Sequence, residues 1–118
     1  MTIRNLTSQD RRTLSRIIVC LDCQFTYSGT DYSAVIVDLS HKGALLSAKF
    51  MPPTNSYITV SLQTDILERK LELKSRVVRG DWVESGFGKM GRFALRFENA
   101  PLDLIRLINK LLSSKSST

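Results

Sequence analysis

The chain is poor in the residues that run chemistry: one histidine, His41, and two cysteines, Cys20 and Cys23, in 118 residues. No Ser/His/Asp set assembles from so little, and a four-ligand structural zinc site cannot be filled. Gly86, Gly88 and Gly91 fall between two strand-like segments, so they are not the glycine loop that opens a helix beneath a phosphate. An enzyme, a metal and a cofactor are therefore not expected. Aromatic residues make up only 8%, thin for a surface that stacks successive bases. Apolar runs stay short of the roughly 18 residues of a membrane span, so no membrane insertion is expected. MTIRNLTSQDRR contains no apolar stretch of the secretory kind, which places the expected location in the cytoplasm.

Cys20 and Cys23 form a C-x-x-C, but within a segment, Ile17 to Tyr27, rich in β-branched and aromatic residues. On a strand, a spacing of three sends two side chains to opposite faces. The expectation is two unconnected thiols in a reducing compartment.

What the chain does hold is positive charge. The net charge is +6, which favours an anionic partner. Arg4, Arg11, Arg12 and Arg16 crowd the first sixteen residues against Asp10 alone. Residues 1–16 read as a flexible basic arm, without sustained periodicity.

The rest reads as mostly β. Strands are expected at Ile17–Tyr27 and Tyr32–Leu39, joined by Ser28-Gly29-Thr30-Asp31 into a hairpin. A short strand follows at Ala44–Ser47, then Met51-Pro52-Pro53 forces a loop, since proline cannot donate to a ladder. Tyr57–Leu62 alternates, and Lys70–Val78 puts Leu71, Leu73, Ser75 and Val77 on one face. Glu84–Gly91, with three glycines, reads as a mobile connection. Arg92–Glu98 returns as a strand with Phe93, Leu95 and Phe97 inward. After Pro101, the apolar residues Leu104, Leu107, Ile108, Leu111 and Leu112 recur at helical spacing. The predicted architecture is one domain over 17–112, a six- to seven-stranded antiparallel β-barrel with a C-terminal α-helix, and a disordered tail over 113–118.

Two local patterns carry the functional reading. Arg12 and Arg16 form an R-x-x-x-R before the first strand, and Asp38-Leu39-Ser40-His41-Lys42-Gly43 forms a D-x-S-x-x-G at the end of the second. Each alone has a plain explanation: a solvated basic segment, and a turn in which Asp or Ser bonds nearby backbone. In this order and strand context, together with SRVVRG and FALRF before a C-terminal helix, the chain resembles the PilZ domain family, which binds cyclic di-GMP.

The resemblance implies a cyclic di-GMP receptor with no catalytic residue. Its ligand residues would be Arg11, Arg12, Arg16, Asp38, Ser40 and Gly43, with Arg79 on a neighbouring strand as a further candidate. The chemistry fits: an arginine fork matches guanine O6/N7 or a phosphate, and a carboxylate complements the guanine N1–H and N2–H₂ edge. Ser40 has a hydroxyl and a backbone N–H to donate, and Gly43 allows positive φ and a close backbone approach. Arg11 extends the doublet and implies a self-stacked pair of nucleotides. The arm would close over the nucleotide and change the surface shown to an unidentified downstream protein. Two rival readings differ in class: a nucleic-acid-binding barrel, which the low aromatic content disfavours, and a PilZ-like interaction module without ligand, which would have lost one of the motifs.

Overall fold

The computed structural model describes residues 16–86 and 88–116. Ile17–Tyr27 forms β1 and Thr30–Leu39 forms β2, an antiparallel hairpin in register from Tyr27↔Thr30 to Ile17↔Leu39. Only Ser28 and Gly29 remain for the turn, and both have positive φ, 53° and 83°. That backbone twist matches the right-handed twist of the flanking strands, which is why so short a loop suffices.

Gly43–Ala48 is β3, Tyr57–Leu62 β4, Leu71–Ser85 β5 and Gly88–Phe97 β6. The six strands close into an antiparallel barrel in the order β1-β2-β3-β6-β5-β4. Alternation explains the interior. Leu71, Leu73, Ser75 and Val77 of β5 and Phe93, Leu95 and Phe97 of β6 are buried, as their spacing predicts. The buried Ser75 hydroxyl donates to the Leu73 carbonyl at 3.0 Å, so it enters the core with a partner.

One end of the β1–β2 hairpin is filled by aromatic rings. Phe50, in the loop after β3, stacks on Tyr32 with centroids 4.3 Å apart, and Phe25 meets Tyr32 at 5.2 Å and Phe93 at 5.5 Å. The helix α1, Leu102–Ser116, packs against β1 and sends Leu104, Leu107 and Ile108 into the core. Its first turn is tied to Pro101, whose carbonyl accepts from Leu104 and Ile105 N–H at 2.9 and 3.3 Å. A proline loses nothing at such a start, where its missing N–H has no helical partner to meet.

Two boundaries differ from the sequence reading. Glu84 and Ser85, and Gly88 to Gly91, continue the paired strands: β5 and β6 stay in register from Asp81↔Arg92 to Ser85↔Gly88. Gly91 is buried, with Met51 packed where its Cβ would be. The helix continues past Leu112 to Ser116.

Cys20 is exposed and Cys23 buried, the opposite-face arrangement expected of a strand. Burial, with Asp22 nearby as a smaller cause, pushes the Cys23 thiol up to about 12.

Candidate functional site

The antiparallel hairpin carries the start of β1 to the end of β2, so Ile18 pairs with Asp38 across the strands. Arg16 and Asp38, 22 residues apart in sequence, are thereby neighbours. Arg16 Nε donates to Asp38 Oδ2 at 3.0 Å and Oδ1 at 3.3 Å, and Nη2 also donates to Oδ2. Asp38 is 6% exposed, whereas the Arg16 side chain is 56% exposed. The carboxylate thus lies beneath and the guanidinium faces water. The hydrogen bonds and charge of Asp38 raise the Arg16 pKa above its already high ordinary value.

A β-bulge precedes the carboxylate. Ile36 pairs with Leu46 and Asp38 with Leu45, leaving Val37 as the extra residue in β2. Two further irregularities occur, in β1 between Ile18 and Leu21 and in β5 at Val78, between Val77 and Arg79. Bulges bend a strand and re-aim its side chains. The β2 and β5 bulges adjoin Asp38 and Arg79, both on the same cleft.

Ser40 organises the turn that follows. Its Oγ accepts from the Lys42 and Gly43 N–H groups, both at 3.2 Å, and its own N–H donates to the Gly43 carbonyl at 2.9 Å. The Lys42 carbonyl in turn accepts from Phe97 N–H at 2.8 Å, fastening the turn to β6. The Ser40 backbone donor is thus used within the protein.

Gly43 does not have positive φ, contrary to expectation. Glycine is required there by close packing: a Cβ would lie 1.9 Å from the Leu95 carbonyl oxygen of β6. The close approach is to the neighbouring strand, and it sets how tightly the turn sits on the barrel.

These elements enclose a cleft of about 470 Å³, lined by Arg16, Asp38, Ser40, Gly43 and Arg79 among others. That size lies within the usual range of small-molecule sites, about 300–1,000 Å³. Arg11 and Arg12 lie outside the described residues. Lys42 and Arg96 also line the cleft and were not singled out from sequence. The outward phase of Arg96 was readable from the inward Phe93, Leu95 and Phe97, but its pairing with Gly43 was not. Val78, 37% exposed at the bulge, adds an apolar patch. A larger depression of about 850 Å³ opens beside Tyr32 and Phe50, with Asp22, Gln24, Lys49 and Lys70 around it. Its described lining includes no residue of the R-x-x-x-R or D-x-S-x-x-G pattern and no arginine. Among the described residues no cluster of His, Cys, Asp or Glu could hold a metal, and no helix is long and apolar enough to cross a membrane.

No protein with a curated description matches the sequence. Solved structures do share the fold. The inhibitor of motility MotI/DgrA of Bacillus subtilis superposes with a TM-score of 0.70 at 15% identity, over 88% of this chain and 51% of that one. The chain therefore spans about half of that protein's length. The PilZ domain of CeSA from a cellulose-synthesizing bacterium gives 0.61 at 21% identity, covering 81% of this chain and 96% of that one. The PilZ domain of Escherichia coli YcgR, solved with c-di-GMP, gives 0.62 at 15% identity, covering 84% and 86%. The PilZ domain model matches residues 9–114, from the arm through the helix, and the chain belongs to the PilZ domain family.

Proposed function

We propose that this PilZ domain is a receptor for cyclic di-GMP that acts through a protein partner and carries out no catalysis. One observation carries the reading: Arg16, Asp38, Ser40, Gly43 and Arg79, drawn from separate strands and a turn, line a single cleft.

The geometry divides the labour. Asp38 uses its carboxylate to hold Arg16, through Nε and Nη2. A guanidinium has five N–H donors in a fixed fork, so the outward donors of Arg16 remain for a guanine O6/N7 edge or a phosphate. Asp38 is in this reading a positioning residue for Arg16 as well as an acceptor. Ser40 and Gly43 shape the turn that forms the cleft wall. Arg79, Lys42 and Arg96 supply positive charge for the two phosphates, and Val78 offers apolar contact to a base face.

Arg16, which follows Arg11 and Arg12 in the sequence, lines the cleft. This supports an arm that closes over bound nucleotide and alters the surface a partner reads. Ordering costs roughly 1–2 kcal/mol per residue, so only the few residues around Arg12 to Arg16 tighten strongly.

Calorimetric titration tests the reading. Wild type binds cyclic di-GMP, and Arg12→Ala/Arg16→Ala loses most of the affinity. A titration of wild type that shows no heat at millimolar ligand overturns the reading. The stoichiometry reports whether one nucleotide or a stacked pair is held. Equal hydrogen-exchange protection of residues 8–17 with and without ligand removes arm closure alone.

A further inference from the structure

On the outer face of the barrel, one cross-strand row leads away from the cleft. Gly43 of β3 pairs with Arg96 of β6, Arg96 with Arg76 of β5, and Arg76 with Tyr57 of β4. All four have outward phase, between the inward neighbours Leu95 and Phe97, Ser75 and Val77, and Ile58. Two arginines therefore stand side by side on adjacent strands. Like charges directly opposite each other destabilise a sheet. Among the described residues neither Arg76 nor Arg96 forms an ion pair that would relieve this. Lys74, also outward on β5, lies one row on, opposite Glu98. The nucleotide phosphates would serve Arg96, which lines the cleft, but Arg76 is outside that lining, so the pair calls for a second external anion.

We infer that the Arg96–Arg76–Tyr57 row is a docking face for a short acidic segment of a partner protein. Shape and surroundings favour that occupant. Neighbouring strands lie roughly 4.8 Å apart, so a row across four of them spans about 14 Å, the reach of a few extended residues. The next row on one side ends in Glu98, whose N–H donates to the Lys74 carbonyl, and Asp81 lies beyond the arginines on the other. A continuous polyanion such as a nucleic acid would run onto those carboxylates, whereas a short acidic stretch ends before them. At the far end Tyr57 is 65% exposed, beside a notch of about 150 Å³ shared with Thr59, Lys74 and Glu98, whose carboxylate bounds the face on that side. Tyrosine and arginine are both among the residue types enriched at interface hot spots. The face stands without the nucleotide reading, although Arg96 borders both surfaces.

Fluorescence anisotropy with a labelled short oligo-glutamate peptide tests this on the full chain. Wild type binds it with strong salt dependence, and Arg76→Gln/Arg96→Gln weakens binding about tenfold or more. Unchanged far-UV circular dichroism of the variant keeps the loss from being one of folding. Tyr57→Ala, which removes no charge, weakens binding to a smaller degree. Equal binding by wild type and the glutamine pair overturns the proposal. So does tighter binding of an oligothymidine of matched charge that depends on the same two arginines. Cyclic di-GMP titrated into Arg76→Gln, which alters no residue lining the cleft, separates the two ideas: loss of nucleotide binding there assigns Arg76 to the cleft and overturns the docking face. A wild type that ignores the nucleotide but holds the peptide leaves the docking face in place.

Discussion

Arg16 donates from Nε to both carboxylate oxygens of Asp38, at 3.0 and 3.3 Å, and Asp38 is buried beneath it. The two residues belong to the two motifs that define the candidate site, and each is the other's partner before any ligand arrives. Removing Arg16 leaves a buried carboxylate without its cation. A fully buried pair broken this way costs about 3–5 kcal/mol, but water reaches Arg16, so Arg16→Ala is expected to cost about 1 kcal/mol. Arg16→Ala/Asp38→Asn should be less destabilised than the two single changes added together, as a denaturant double-mutant cycle will show. Because Asp38 raises the Arg16 pKa, the guanidinium's side of this contribution is lost only as pH rises above the ordinary arginine value and shows no titration near neutrality.

Gly43→Ala probes the packing of the turn. Its Cβ would meet the Leu95 backbone carbonyl at 1.9 Å, and backbone cannot swing aside as a side-chain tip does. The variant is expected to lose about 1–3 kcal/mol in chemical denaturation, without ligand present. Amide exchange should quicken along β3 and β6 first. An unchanged midpoint would show that the turn is free to lift from the barrel.

The two thiols should differ sharply in reactivity. Alkylation at mildly basic pH should modify Cys20 and leave Cys23 until the barrel unfolds, as peptide mass mapping will record. The pKa of Cys23 is raised on folding, from 9.0 to about 12, so the folded state holds its proton where the unfolded chain has lost it. Stability from this source is full below pH 9 and declines as pH rises towards 12. Cys23→Ala should flatten that decline, after allowance for the lost side-chain volume.

Stability and ligand binding should separate at Phe50. Its ring stacks on Tyr32 and lies 5.8 Å from Tyr27, at the end of the β1–β2 hairpin away from Asp38. Phe50→Ala is expected to cost about 2 kcal/mol, less than a fully buried phenylalanine, while the affinity for cyclic di-GMP stays unchanged. A matching loss of affinity would mean that the two ends of the hairpin are coupled.

Burial decides how much of this was legible in the sequence. Tyr57–Leu62 and the inward faces of β5 and β6 follow from alternation, because one face of each meets the core. Alternation fades where β5 and β6 extend beyond it. Trp82 is half-exposed there, so no in-and-out pattern marks the strand, and the glycines suggested a loop instead. Asp38, Ser40 and Gly43 were visible as a motif, but the reason for Gly43 lies in a strand fifty residues away that only the fold brings near. Arg96 enters the cleft through register, which no local pattern encodes. The bulge at Val78 likewise leaves no trace in the alternation of KLELKSRVV.

The closure of the barrel is uneven. β1 is bonded along its length to β2, yet it meets β4 only where Gln24, Phe25 and Thr26 face Ser61, Val60 and Thr59. Among the described residues the β1–β4 ladder covers only those three positions, and Arg16 is anchored beyond the other end of β1. Strands secured by one ladder open at lower free energy than those secured by two. The cleft end of the hairpin is therefore expected to open at lower free energy than the aromatic end, where β1 is laddered to both β2 and β4.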